Sequence, residues 1–319
     1  MKYLCFLFII MSMMFISCNS SSSSNAEDKV FKIGILQLIE HDALDASYKG
    51  FVDGLKEAGY EDGKNIIIDY QNAQGEQANC VTIGQKFVND KSDLILAIAT
   101  PAAQAVANMT KDIPILVTAV TDPAAAKLVA DNNAPGGNVS GTSDLTPVEA
   151  QIELLNEITP NLKTVGLLYC SSEQNSVFQI DIAKKKLDSM GIKYIDASVT
   201  SANEIQQVVQ SLIGKVEAIY TPTDNMIAAG MATVALAAEP AKLPVVCGEG
   251  GMTMLGGTAT YAINYYELGK LTASQASAIL KGEKKPASMP IETLKTFDLV
   301  VNTNMVNSIG ITIPESLYK

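Results

Sequence analysis

Tryptophan is absent from the 319-residue chain, and histidine occurs once, as His41. One imidazole leaves little material for a His-rich metal site or an imidazole-based catalytic triad. Cations are few as well: 23 basic residues stand against 34 acidic ones, for a net charge of −11. Phosphate backbones are bound through clusters of basic side chains that release counterions, so this balance argues against a nucleic-acid partner. After residue 17 no run approaches the about 20 unbroken apolar residues that a membrane helix needs. Cysteine is scarce. Setting aside Cys5 and Cys18 at the N-terminus leaves Cys80, Cys170 and Cys247, an odd number that excludes a complete disulfide framework. Cys170 and Cys247 each end an apolar, strand-like run, the usual place of a small buried hydrophobe, and neither has a CxxC or histidine partner.

What is present belongs to a folded chain. Apolar residues make up 47% and charged residues 18% of the sequence, enough apolar surface to offset ordering entropy. The length suits about two domains of roughly 100 to 200 residues each. The first residues read as an address: Lys2, an apolar core from Tyr3 to Ile16, and the small Ser17 just before Cys18 have the layout of an export signal. Phe15-Ile16-Ser17-Cys18 resembles the lipobox at which bacterial signal peptidases cut and a diacylglycerol is attached to the cysteine, with Phe15 where Leu is usual. Cys18 is thus the expected lipidation site, with 1–17 as signal. The serine run Ser20 to Ser24 and its polar neighbours make 18–29 a flexible tether.

From Lys32 onward, strand-length apolar runs alternate with segments of helical periodicity. In Asp42 to Gly59 the apolar positions Leu44, Tyr48, Phe51, Val52 and Leu55 recur at helical spacing, and Gly59 supplies a stop. The cycle repeats through strands at Asn65 to Tyr70, Leu94 to Ala99 and Pro114 to Val120, then from Thr164 through a single helix expected over Met226 to Ala238 to a strand at Pro244 to Cys247. Continuous apolar strands separated by amphipathic helices are what parallel sheets covered on both faces require, so the fold class is α/β with two doubly wound lobes. A weak internal repeat, strand then Thr-Pro then helix, occurs at residues 95–107 and 216–228. The turn-rich segment Pro135 to Asp144 is the expected boundary between lobes.

Open α/β sheets bind ligands beyond the carboxyl ends of their strands, where helix N-termini present free N–H groups. The polar residues at those ends are Gln37, His41, Thr100 with Ala102, Thr121 and Asp144 in the first half. In the second half they are Ser171, Ser172, Glu173, Asn175, Ser176, Asp224, Asn225 and Glu249. Hydroxyls, helix-start N–H groups and isolated carboxylates suit a small ligand bearing both carboxylate and ammonium. Thr100 with the N–H of Ala102 is expected to hold the carboxylate, and Asp224 the ammonium. Each such residue is also an ordinary N-cap type, so the cluster carries the expectation rather than any member. Tyr48, Phe178, Tyr220 and Tyr261 are candidates for an aromatic pocket. No metal, cofactor or nucleophile–base pair is indicated, so a binding protein is expected rather than an enzyme.

Several segments in one collinear order resemble the ABC-transporter substrate-binding proteins of the tryptophan/tyrosine-binding type. They are Ile-Ala-Thr-Pro-Ala-Ala-Gln (98–104), Thr-Asp-Pro (121–123), Pro-Gly-Gly-Asn-Val-Ser-Gly-Thr-Ser-Asp (135–144), Tyr-Cys-Ser-Ser-Glu-Gln-Asn-Ser (169–176), Pro-Thr-Asp-Asn (222–225) and Tyr-Ala-Ile-Asn-Tyr-Tyr-Glu-Leu-Gly (261–269). The resemblance implies the type I periplasmic-binding fold, with lobes of 30–143 plus about 264–293 and of 144–263 plus about 294–319 joined by a three-crossover hinge. It places the Ser171 to Ser176 loop and Asp224 in the cleft and Thr100 with Ala102 in the facing turn, while Asn264 stands where the family pattern has Asp. It implies capture of an aromatic amino acid, delivery to an ABC permease with its ATPase, and a lipid anchor on the extracytoplasmic side. A sensor subunit for a membrane receptor, or transport of a sugar or nucleoside, would use the same lobes and cleft.

Overall fold

The computed structural model describes residues 29–318; the segments expected to be an export signal and most of a tether, with Cys18, lie outside the described residues. The first lobe opens with β1 (Phe31–Gln37), α1 (Asp42–Glu57), β2 (Ile66–Asn72), α2 (Gln77–Asn89), β3 (Leu94–Ile98), α3 (Thr100–Ala107), β4 (Ile115–Val120) and β5 (Val139–Ser143). The second contains α4 (Val148–Ile158), β6 (Thr164–Cys170), α5 (Gln174–Met190), β7 (Lys193–Val199), α6 (Ile205–Leu212), β8 (Ala218–Thr221), α7 (Asn225–Ala229), α8 (Met231–Ala238), β9 (Val245–Cys247), α9 (Gly250–Leu255) and β10 (Ala259–Ala262). The chain closes with α10 (Tyr265–Leu280), β11 (Glu292–Thr293), β12 (Asp298–Val301) and α11 (Thr303–Ile309).

Two six-stranded sheets result, ordered β11-β5-β4-β3-β1-β2 and β12-β10-β9-β8-β6-β7. All pairings are parallel except β10 with β12. Every residue of β3 and β4 is buried, as central strands covered on both faces must be. One apolar cluster fills the first lobe, and two more cover the faces of the second sheet. Fully buried Phe51, Phe87 and Leu96 each contribute roughly 1.5–3 kcal/mol by leaving water.

The chain passes between the sheets after β5, after β10 and after β11, because β11 pairs with β5 whereas β12 pairs with β10. Two sequence expectations change. The segment Pro135 to Asp144 is not turn alone, since Val139–Ser143 forms β5 alongside β4. Its residues, Val-Ser-Gly-Thr-Ser, lack the apolar run that marks a buried strand. Gly141 is required there, because at φ +134° a Cβ would fall 2.1 Å from the Val117 carbonyl oxygen. The helix expected over Met226 to Ala238 is instead α7 and α8, broken at Gly230, the poorest helix former available short of proline.

Helix α10 returns to the first lobe and lies against α1 at backbone contact. A Cβ on Gly50 would sit 2.0 Å from the Tyr266 carbonyl oxygen, and one on Gly269 would sit 2.1 Å from that of Ser47. The Ser47 hydroxyl donates to the Tyr265 carbonyl at 3.3 Å. This close approach fixes Tyr265, the first residue of α10, beside the gap between the lobes.

Candidate functional site

The carboxyl ends of the strands from both sheets face one another across a narrow cleft between the lobes, closed down to about the space of one water molecule, at the place where open α/β sheets take ligands. From the first lobe come His41 and Leu44 at the start of α1, Ala119 of β4, Thr121, and Asp144, which the expected boundary after residue 143 assigns to the second lobe but whose N–H donates to the Val120 carbonyl of β4 at 3.1 Å. Asn175, Thr223, Asp224, Asn225 and Glu249 face them from the second, and Tyr265 enters from α10. Ala119 holds φ +52°, a left-handed conformation unusual for a side chain with a Cβ, at the point where the β4–β5 register shifts. Such strain concentrates where a fold positions a site.

Polar contacts join the lobes across this cavity. His41 Nε2 lies 3.3 Å from Asn225 Oδ1, and the Thr121 and Thr223 hydroxyls are 3.3 Å apart. Gln179 Nε2 donates to the Thr223 hydroxyl at 2.6 Å and to that of Thr121 at 3.3 Å. Gln104 Nε2 donates to Gln174 Oε1 at 2.6 Å, and Gln174 Nε2 to the Ala125 carbonyl at 3.2 Å.

Four carboxylates are buried here: Asp144, Glu173, Asp224 and Glu249. Burial raises the pKa of each, to about 6 for Asp144 and about 7 for Glu173 and Glu249. Mutual repulsion between Glu173 and Asp224 adds to the rise in Glu173. No lysine ion pair reaches any of the four among the described residues, and the chain contains no arginine. Their partners are N–H and O–H groups. Asp224 caps α7 by accepting from the Ile227 N–H at 2.8 Å and also accepts from that of Cys170 at 2.6 Å. Glu249 caps α9 through the N–H groups of Gly251 and Met252. Glu173 accepts from the backbone N–H groups of Asn225 and Met226 and from the amides of Asn175 and Asn225. Asp144 differs. Its Oδ2 accepts from the Tyr265 hydroxyl at 2.7 Å, while its buried Oδ1 has no hydrogen-bond partner in the protein.

The other expected residues divide. His41, Thr121, Asp144, Asn175, Asp224, Asn225 and Glu249 line the cavity. Thr100 lines a small adjoining cleft that shares Asn175 and includes Phe178, whereas Ala102 is buried in the first turn of α3. Ser176 is buried, its hydroxyl accepting from Asn175 Nδ2 at 3.3 Å. Gln37 closes the β1–α1 turn instead, donating to the Ile39 carbonyl at 2.9 Å and to Asp45 at 2.6 Å. Ser171 and Ser172 are exposed at the end of β6 and line neither cavity. Among the aromatic candidates, Tyr220 is in the second-lobe core bonded to Gln151 and Tyr48 packs on Tyr70 at 4.5 Å. Tyr261 packs against the second-lobe core. Tyr265 was not singled out for the site. Two signals point to it, its place at the helix start after a crossover and its membership of the 261–269 segment that carries the family resemblance. Asn264, in place of Asp, still caps α10 by accepting from the Glu267 N–H at 3.2 Å.

The family of ABC transporter substrate binding proteins matches residues 32–319. The chain belongs to that family. This substrate-binding protein is 39% identical over 304 residues to a tyrosine-binding protein of Clostridioides difficile, covering 93% of this chain and 88% of that one. Its fold superposes with a TM-score of 0.87 on an ABC domain from Streptococcus pneumonia in complex with L-Trp, at 42% identity over 90% of this chain and 97% of the other. Against a ligand-free, open substrate-binding protein with adhesive properties from Clostridium difficile the TM-score is 0.69, at 45% identity over 90% and 97% of the two chains.

Proposed function

We propose that this protein is the extracytoplasmic, lipid-anchored binding component of an ABC importer and captures an aromatic amino acid by closing its lobes upon it. The observation that carries the ligand class is the Asp144 carboxylate, which is buried between the lobes, without a cation, and has one oxygen unpartnered. A ligand ammonium supplies the missing charge and donors. Asp144 thus replaces Asp224 as the ammonium contact, since Asp224 is occupied in capping α7 and binding the Cys170 N–H. Leu44 and Tyr265 offer apolar surface to the ligand side chain. Thr100 and the Ala102 N–H, in the first turn of α3, remain the assignment for the ligand carboxylate, since the cleft that Thr100 lines meets the first at Asn175.

The names of the relatives, one tyrosine-binding and one holding L-Trp, support an aromatic side chain. Closure is supported by the cross-lobe hydrogen bonds and by shape, which is nearer to the L-Trp complex than to the open, ligand-free structure although identity to the latter is slightly higher. Closing shifts the equilibrium only if the ligand bonds both lobes, which Asp144 on one side and Asn175 on the other permit. Cys18 carries the lipid and residues 18–29 tether the lobes to the membrane, where the permease and its ATPase receive the ligand.

The test is a thermal-shift screen of residues 26–319, unfolded and refolded to strip carried ligand, against the amino acids, sugars and nucleosides. Ligand at 100 times its Kd should add about 2.7 kcal/mol of stability. A rise confined to tryptophan, tyrosine or phenylalanine is expected. A rise with a sugar or nucleoside and none with any amino acid would overturn the ligand class.

A further inference from the structure

Three buried acceptors that line the cavity have no partner in the protein: Asp144 Oδ1, His41 Nδ1 and Asn175 Oδ1. Whether a ring nitrogen or an amide end is an acceptor normally depends on assignment, but here the neighbours fix it. Asn175 Nδ2 faces the Thr223 carbonyl at 3.0 Å and the Glu173 carboxylate at 3.2 Å, both acceptors, so this end is the NH₂ and Oδ1 is the end left without a partner. Asn225 Nδ2 likewise donates to Glu173, which leaves Asn225 Oδ1 as an acceptor facing His41 Nε2. His41 Nε2 must therefore carry the proton. Burial holds the imidazole below its ordinary pKa, so the ring is neutral and Nδ1 presents a lone pair.

Glu173 accepts from both amides, alone for Asn225 and together with the Thr223 carbonyl for Asn175. Glu173 receives four N–H groups and faces no acceptor among its partners. Resting on the amino-acid reading above, we infer that Glu173 is a positioning residue that, through Asn175 and through Asn225 and His41, sets a three-acceptor cradle recognising a primary ammonium by its three N–H groups rather than by charge alone. It reaches both lobes, because Asn175 belongs to the second and His41 and Asp144 to the first. Glu173 itself lines neither cavity.

The experiment separates charge from hydrogen-bond count. Wild-type protein is titrated calorimetrically with L-tyrosine and with its N-methyl, N,N-dimethyl and N,N,N-trimethyl derivatives, all cationic at pH 7.5. Affinity should fall about tenfold for each N–H lost, the effect of leaving one buried acceptor unpaired. Trimethyl-tyrosine binding as tightly as L-tyrosine would overturn the cradle. Glu173→Gln, with one acceptor oxygen where there were two, frees an amide to flip and should cut the L-tyrosine to trimethyl-tyrosine preference at least tenfold; an unchanged preference would overturn the relay. His41 is the chain's one histidine, so its ring ¹⁵N shifts in untagged protein report the tautomer directly. The Nε2–H form is expected, and the Nδ1–H form would refute the relay even if Glu173→Gln failed to fold. If wild type binds none of L-tyrosine, L-tryptophan and L-phenylalanine, the aromatic amino-acid reading fails, and the His41 shifts still decide the relay.

Discussion

Asp144→Asn should weaken ligand binding and strengthen the ligand-free fold at the same time. The substitution keeps the size of the side chain and an oxygen to accept from the Tyr265 hydroxyl, so shape is preserved. What it removes is a buried charge without a cation. Burial raises the Asp144 pKa from its ordinary 3.8 to about 6, so the folded state holds its proton more tightly than the unfolded chain does. Below pH 3.8 the group is protonated in both states and the charge contributes nothing to the difference. As the pH rises through about 6 the wild type loses stability, of order 3 kcal/mol at about 1.4 kcal/mol per pKa unit, which the asparagine variant keeps. With ligand bound the sign reverses. An ammonium left without its carboxylate costs about 2–5 kcal/mol, or about 30-fold to several-thousandfold in Kd. Urea unfolding without ligand at pH 4 and pH 8, with calorimetry of L-tryptophan and L-tyrosine, reads both. Unchanged affinity would refute the ammonium assignment, and equal stability of the two proteins at pH 8 would refute the uncompensated charge.

Binding itself should depend on pH. A bound ammonium pulls the Asp144 pKa down, so ligand binding near pH 6 releases a proton, and affinity falls as the pH drops from 7.5 towards 5; calorimetry in buffers of different ionisation enthalpy measures the release. Asp224→Ala should act on the fold, lowering stability by about 1–2 kcal/mol through loss of the α7 cap and by stranding the Cys170 N–H; because burial raises the Asp224 pKa as well, the loss is read by urea unfolding at pH 4, where relief of a buried charge does not offset it, and wild-type stability there would contradict the capping role. Gly269→Ala should push α10 off α1, costing about 1–3 kcal/mol by overpacking and weakening ligand binding through displacement of Tyr265; wild-type melting and affinity would refute the backbone contact. Gly141→Ala should lower the urea midpoint, because its new Cβ meets the Val117 carbonyl in a conformation unfavourable to any side chain.

Much of the architecture was legible because burial writes a period into a sequence. The strands β3 and β4 are continuous apolar runs, and α1 carries its apolar positions at helical spacing, so two parallel-sheet lobes could be read directly. β5 was not legible, since its Val-Ser-Gly-Thr-Ser is held by neighbouring backbone rather than by apolar side chains. Within the site, strand-end position singled out His41, Asp144 and Asn175 as candidates, but it gave Glu173, Asp224 and Glu249 the same standing. A residue before a helix looks alike in sequence whether its oxygens face a ligand or the helix's own N–H groups. Only the fold separates them. It turns Asp224 and Glu249 onto α7 and α9 and leaves Ser171 and Ser172 outside the cavity. By pressing α10 onto α1 it also brings Tyr265 to Asp144, 121 residues away in the chain. The sequence by itself determined the lobes, the strand-end location of the site and the excess of acid within it, because these follow from local pattern and composition. Which acceptors stay unpaired was decided by tertiary structure, because hydrogen-bond satisfaction depends on partners that distant elements bring within reach.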